Sequence, residues 1–136
     1  MSNSLQEGFL VAKIGSTDRL LELAVVREIV PAMQLARPPG VGGGCRGVAN
    51  VRGEAIPVFD MARREGPLEA SQLIILAATG HGSFIGIVVD DVVDVVHLDP
   101  AQVAAHPAGL GRYLRSAHLS GATLSVLTPR EVIDAS

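Results

Sequence analysis

One internal repeat constrains the fold of this 136-residue chain more than any other feature. Residues 48–59, "VANVRGEAIPVF", align without a gap on residues 116–127, "SAHLSGATLSVL", a shift of 68 residues from Val48 to Ser116. Ala49 falls on Ala117, Val51 on Leu119, Gly53 on Gly121, Ile56 on Leu124 and Val58 on Val126. Each copy reads as two apolar strands around a glycine, which supplies the positive φ of a tight turn at little steric cost. Before each copy come the same parts: strand, turn, strand, then a β-branched stretch bearing acids, "VVREIV" and "VVDDVVDVV". The repeat therefore predicts a mainly β chain of two similar small barrels, because closing a sheet removes its edges.

The rest of the chain fits around this plan. Residues 1–8 read as a flexible N-terminal tail, and residues 9–136 as one domain. "FLVAKIG", "RLLELAV", "LIILA" and the long run "FIGIVVDDVVDVVHL" read as strands. Arg37 to Gly47, "RPPGVGGGCRG", reads as a loop, since two prolines and five glycines punctuate it. "MARREGPLEAS" is a polar connection. Asp99, Pro100 and Gln102 predict a capped helical turn. Thr128, Pro129 and Glu131 predict a capping box opening a short C-terminal helix, with Glu131 reaching back.

Several function classes lose support on residue usage. The net charge is −3, no basic run exists, and three Phe, one Tyr and no Trp leave little for base stacking, which argues against nucleic-acid partners. Cys45 is the single cysteine, so no disulfide forms within the chain and a reducing, cytoplasmic setting is expected. No apolar run approaches the ~18 residues of a membrane span, and the N-terminus lacks the pattern of a secretory leader.

Catalytic and metal chemistry find no supporting pattern. Asp90, Asp91 and Asp94 lie among β-branched residues, where a strand would point Asp91 away from the other two. His81, His97, His106 and His118 are scattered without ligand spacing. Cys45 has no neighbouring base motif, and its glycine-rich surroundings lack the Gly-Lys-Ser/Thr of a phosphate loop. From these residues no cofactor or metal is expected.

Glu28 and Arg52 stand out, as charges embedded in otherwise apolar strand segments. Gly53 belongs to the repeat, but the counterpart of Arg52 is Ser120, so the arginine belongs to one half only. Either the two charges are separately solvated, or they pair across the fold and offer a fork of donors to a partner.

These segments resemble the CheW-like family, the coupling proteins of bacterial chemotaxis arrays. The resemblance rests on Gly47-x-x-Asn50-x-Arg52-Gly53-x-x-Ile56-Pro57-Val58-x-Asp60 and on "GIVVD" at 86–90 followed by Val92, Asp94 and Val95. It extends from about Phe9 to Ile133. It implies a single CheW-like domain of two intertwined SH3-like five-stranded β-barrels around an apolar groove, with short helices, one of them C-terminal. It also implies a non-catalytic adaptor, cytoplasmic and recruited to membrane-associated arrays. The implied partners are a chemoreceptor signalling tip and the regulatory domain of a CheA-type histidine kinase. Val26, Gly47, Arg52 and Gly53 match positions tied to receptor binding, Asn50 stands in the same motif, and Glu28 matches an acid that faces the arginine. Two departures, "GGGCR" before Gly47 and Thr128 after Leu127, leave an alternative: a divergent member that keeps one of the two contacts and regulates motility or another pathway.

Overall fold

The computed structural model describes residues 5–37, 45–63, 68, 71–78, 83–107, 109 and 113–135. Among the described residues it has eleven strands and one short α-helix. In chain order they are β1 (Glu7–Ile14), β2 (Thr17–Glu22), β3 (Val26–Pro31), β4 (Cys45–Val51), β5 (Glu54–Phe59), β6 (Gln72–Ala77), β7 (Phe84–Val89), β8 (Asp91–Leu98), β9 (Val103–Pro107), β10 (Tyr113–Leu119), β11 (Ala122–Ser125) and α1 (Pro129–Asp134).

The strands form two β units that exchange a strand. One unit is a five-stranded sheet ordered β3-β6-β7-β5-β4. The other combines sheets β2-β1-β8 and β11-β10-β9, joined by a parallel bridge from Leu20 to Val126. The chain leaves the β1–β2 hairpin and sends β3 to pair with β6. It then leaves β6–β7 and sends β8 back to pair with β1. Each unit thus holds the strand that follows the other unit's first hairpin.

The 68-residue repeat recurs in the pairing itself. β4 and β10 occupy the same span of the repeat. The parallel contact of Val58 with Gly86 has its counterpart in Val126 with Leu20. The bridge of Ala36 with Val48 corresponds to Ala104 with Ser116, so β9 is the extended version of a single bridge in the first unit. Both hairpin turns carry two consecutive positive φ angles, 50° and 83° at Arg52-Gly53 and 49° and 83° at Ser120-Gly121. That is the type I′ pattern, whose twist matches that of the flanking strands.

Three strands read as unbroken apolar runs because both of their faces are buried. Phe9 and Val11 of β1 enter the core of the second unit, while Leu10, Ala12 and Ile14 enter a core between the units. β6 divides the same way, with Leu73 and Ile75 in the first unit's core and Ile74 and Leu76 between the units. Ile85, Ile87 and Val89 of β7 join that shared core, as do Leu127 and Val132 from the C-terminus.

Several local expectations are corrected. β1 begins at Glu7, so the last two residues of the stretch read as tail pair with Leu98 and His97. β4 begins at Cys45, so the loop ends earlier than Gly47; residues 38–44 lie outside the described residues. Leu23–Val25 form a 3-10 turn in place of the end of the second strand. Asp90 is a bend between β7 and β8, and its Oδ2 accepts the Gly15 N–H at 2.6 Å. Gln102 does reach back to the Asp99 N–H, at 2.8 Å. Thr128 caps α1 by accepting the Glu131 N–H at 3.1 Å. Glu131 itself does not reach back: both its oxygens bond Arg19 at 3.1 Å, which fastens α1 to β2.

A second fastening explains where β1 starts. Arg115 of β10 grips Glu7 with two bonds, of 2.7 and 2.8 Å, also bonds Glu22, and lies over the Phe9 ring at 5.5 Å. The Arg115 guanidinium holds the Glu7 carboxyl below its ordinary 4.5, although partial burial works against that shift. A carboxylate whose native pKa is depressed stabilises fully above its unfolded value and loses that contribution as pH falls through the native one. Arg115→Met is therefore expected to lower stability by about 1 kcal/mol near neutral pH, a modest figure because water screens the half-open pair. Melting curves of wild type and variant should converge as pH drops below 4.5. A constant gap down to acid pH would contradict the assignment.

Candidate functional site

The β4–β5 hairpin and the neighbouring β3 build the site. Its turn is set by backbone chemistry before any partner is considered. Asn50 Oδ1 accepts the Gly53 N–H at 3.0 Å and closes the turn, while Gly53 takes a φ of 83° with open space where a Cβ would stand. Arg52 also sits in the left-handed region, at φ 50°. Residues with a Cβ pay roughly 1 kcal/mol there, and asparagine or glycine is the usual occupant. Ser120 shows that the same turn forms without an arginine.

Arg52 is held from β3. Its Nη1 donates to Glu28 Oε2 at 3.2 Å, and its Nη2 lies 3.1 Å from Glu28 Oε1. The arginine side chain is 72% exposed and the glutamate 14%, so the pair presents a positive group on a largely covered anion. The alternative of two separately solvated charges is thereby removed. Both Nη atoms of Arg52 serve Glu28.

The chain of charges continues. β3 carries a register shift between Val26 and Glu28, which brings Arg27 beside the hairpin. Arg27 Nη1 donates to Glu54 Oε1 at 2.8 Å, and its Nε lies 3.7 Å from Glu28 Oε2. Its guanidinium also stacks over the Phe84 ring at 4.3 Å, a favourable cation–π distance. Arg52, Glu28, Arg27 and Glu54 therefore form a row of alternating charge. Beside its Glu54 end lies a depression of about 500 Å³ lined by Ala55, Pro57, Phe84 and, from α1, Ile133.

The structure thus brings Glu28, Asn50, Arg52 and Gly53 together at the hairpin tip. Val26 lies further along β3, opposite Leu76, half-buried against the shared core. Gly47 sits at the far end of β4, about 16 Å from Arg52 at the ordinary strand rise. There the Ala36 strand crosses: Val48 N–H donates to the Ala36 carbonyl at 2.7 Å, and Ala36 N–H donates to Val48 O at 2.9 Å. A Cβ on Gly47 would stand 2.4 Å from the Ala36 oxygen. Arg27, Glu54 and Phe84 were not singled out from the sequence. Arg27 and Glu54 adjoin the chosen residues, but a charge next to a turn looks ordinary until the bulge aligns it.

The row contains only arginines and carboxylates, each paired with a neighbour. Among the described residues, no group of three His, Cys, Asp or Glu stands close enough to hold a metal ion. What such a surface can do is recognise: a fixed guanidinium, an exposed carboxylate and a hollow with one apolar side between structural elements.

Comparison with known proteins agrees with this picture. The family model described as a CheW-like domain matches residues 8–136. Chemotaxis protein CheW of Klebsiella aerogenes is 26% identical over 102 residues, which cover 73% of this chain and 61% of that protein. The matched segment thus spans about three-fifths of that relative's length. The crystal structure of scaffolding protein TtCheW from Thermoanaerobacter tengcongensis is similar with a TM-score of 0.76. That similarity covers 91% of this chain and 85% of the other at 20% identity, and it speaks for the shared fold.

Proposed function

This chain belongs to the CheW-like domain family, and on that premise we propose that it is a non-catalytic adaptor of a bacterial chemosensory array. In this reading it couples a chemoreceptor signalling tip to the regulatory domain of a CheA-type histidine kinase, and it works in the cytoplasm beside membrane-held receptors. Among the described residues no helix is long and apolar enough to cross a membrane.

One observation carries the receptor side of the proposal. Arg52 occupies a backbone position that favours asparagine or glycine, is locked by two contacts to Glu28, and remains mostly exposed. Strain kept at an exposed, rigidly held cation is understandable if that cation meets a partner. The receptor tip is a helical hairpin, and a helix lays an apolar face into a hollow while a few polar anchors fix its register. The hollow beside Phe84 and Pro57 and the Arg52 edge suit that mode. A second partner has room elsewhere, because exposed Tyr113 and Leu114 lie on β10 of the other unit. The proposal is tested by titrating the protein with the receptor tip and the kinase regulatory domain, separately and together.

A further inference from the structure

We infer that the site selects its helix by charge order: an acidic side chain of the partner meets Arg52, a basic one meets Glu54, and an apolar one beyond the Glu54 end enters the hollow. This rests on the receptor-docking reading and adds to it the chemistry the docking helix must carry.

The ends of the charge row face water and its middle is largely covered. The two inner members, Glu28 and Arg27, are 14% and 30% exposed and satisfy each other and their outer neighbours. The outer members, Arg52 and Glu54, are 72% and 45% exposed. Each keeps bonding capacity to spare. Arg52 has its Nε–H, and Glu54 has Oε2, since only Oε1 accepts from Arg27. The row sums to zero charge yet ends in a cation on one side and an anion on the other.

A partner covering this edge removes water from both ends. A like charge set against either one would cost affinity, so the covering surface favours the opposite sign at each. The hollow next to Glu54 mixes Glu54 and Ser83 with Ala55, Pro57, Phe84 and Ile133, and its apolar side takes a hydrocarbon side chain. Residues three and four apart share one face of a helix, so a single helix can present acid, base and apolar group in that order. Reversing the helix would set acid against Glu54 and base against Arg52. The row therefore also fixes polarity, which a lone arginine cannot do.

The test uses the full chain and a receptor signalling-tip fragment, with Glu54→Lys and Glu54→Gln, measured by calorimetry at low and high salt. Glu54→Gln keeps an acceptor for Arg27 and so preserves the row's geometry. We expect Glu54→Lys to weaken binding by about tenfold and Glu54→Gln by about threefold, with binding of the glutamine variant less sensitive to salt than that of wild type. One Lys→Glu or Arg→Glu change in the fragment should restore binding to Glu54→Lys. If both Glu54 variants bind as tightly as wild type while Arg52→Glu weakens binding, charge order is overturned and receptor docking stands. If wild type itself does not bind the fragment, both fall.

Discussion

Gly47→Val is expected to lower the melting temperature by roughly 10–15 °C, the largest effect of any single substitution outside the cores. The reason is local. The valine Cβ would be placed 2.4 Å from the Ala36 carbonyl oxygen and 3.1 Å from the Leu35 Cβ, at a φ of 141° that side chains avoid. Relief requires moving the Ala36 strand away, which breaks the two bonds it shares with Val48. Strain of about 1–3 kcal/mol and two lost backbone bonds of about 1 kcal/mol each point to roughly 3–5 kcal/mol. Gly121→Ala is the internal control. Its φ is 83° but nothing lies within 4 Å, so only the backbone term remains, near 1 kcal/mol. Thermal unfolding of both variants decides the matter. Equal losses would mean that the close approach at Gly47 is not a real constraint. A large loss would also give the glycine of this motif a structural reason of its own.

Arg52→Glu is expected to leave the protein folded and to weaken binding of a receptor-tip fragment about thirtyfold. That corresponds to about 2 kcal/mol, a usual loss for an exposed, well-ordered arginine at the centre of an interface. The fold should tolerate it because Arg52 contributes no core contact and Glu28 keeps Arg27 at 3.7 Å. Arg52→Asn sharpens the comparison. Asparagine suits the left-handed turn position, so its melting temperature should match or exceed wild type while affinity still falls. Stability and binding moving in opposite directions would identify the arginine as retained for recognition. Unchanged binding by both folded variants would remove Arg52 from the site.

Much of the fold was legible because the repeat is written in turns. Gly53 and Gly121 mark hairpins whose φ angles agree to within a degree or so at both central residues. The runs "FLVAKI", "LIILA" and "FIGIVV" announced strands buried on both faces. The strand exchange was not legible in the residues themselves and came only with the resemblance, which implies intertwined barrels. β3 and β8 follow their own hairpins in sequence, and nothing local says that each pairs with the other unit's first strand or its equivalent. Long-range ion pairs were equally hidden, since Arg115 meets Glu7 across 108 residues and Arg19 meets Glu131 across 112. Glu131 has the spacing of a capping box, yet the arginine outcompetes the backbone N–H for its carboxylate. In the site, Glu28 and Arg52 were visible because charge is rare inside apolar strands. Glu54 was not, because an acid just past a turn is commonplace, and only the shift at Arg27 gives it a role.

The measurement that tests the central claim most directly is a titration of the full chain against two partners from its own organism, a receptor signalling-tip fragment and the regulatory domain of the chemosensory kinase. Each is added alone and then with the other present. The account predicts that both bind, that the tip is lost in Arg52→Glu while the kinase domain is retained, and that a three-component complex forms. Failure of the tip to bind the wild-type chain, or binding of the two partners that is mutually exclusive, would contradict an adaptor that couples them.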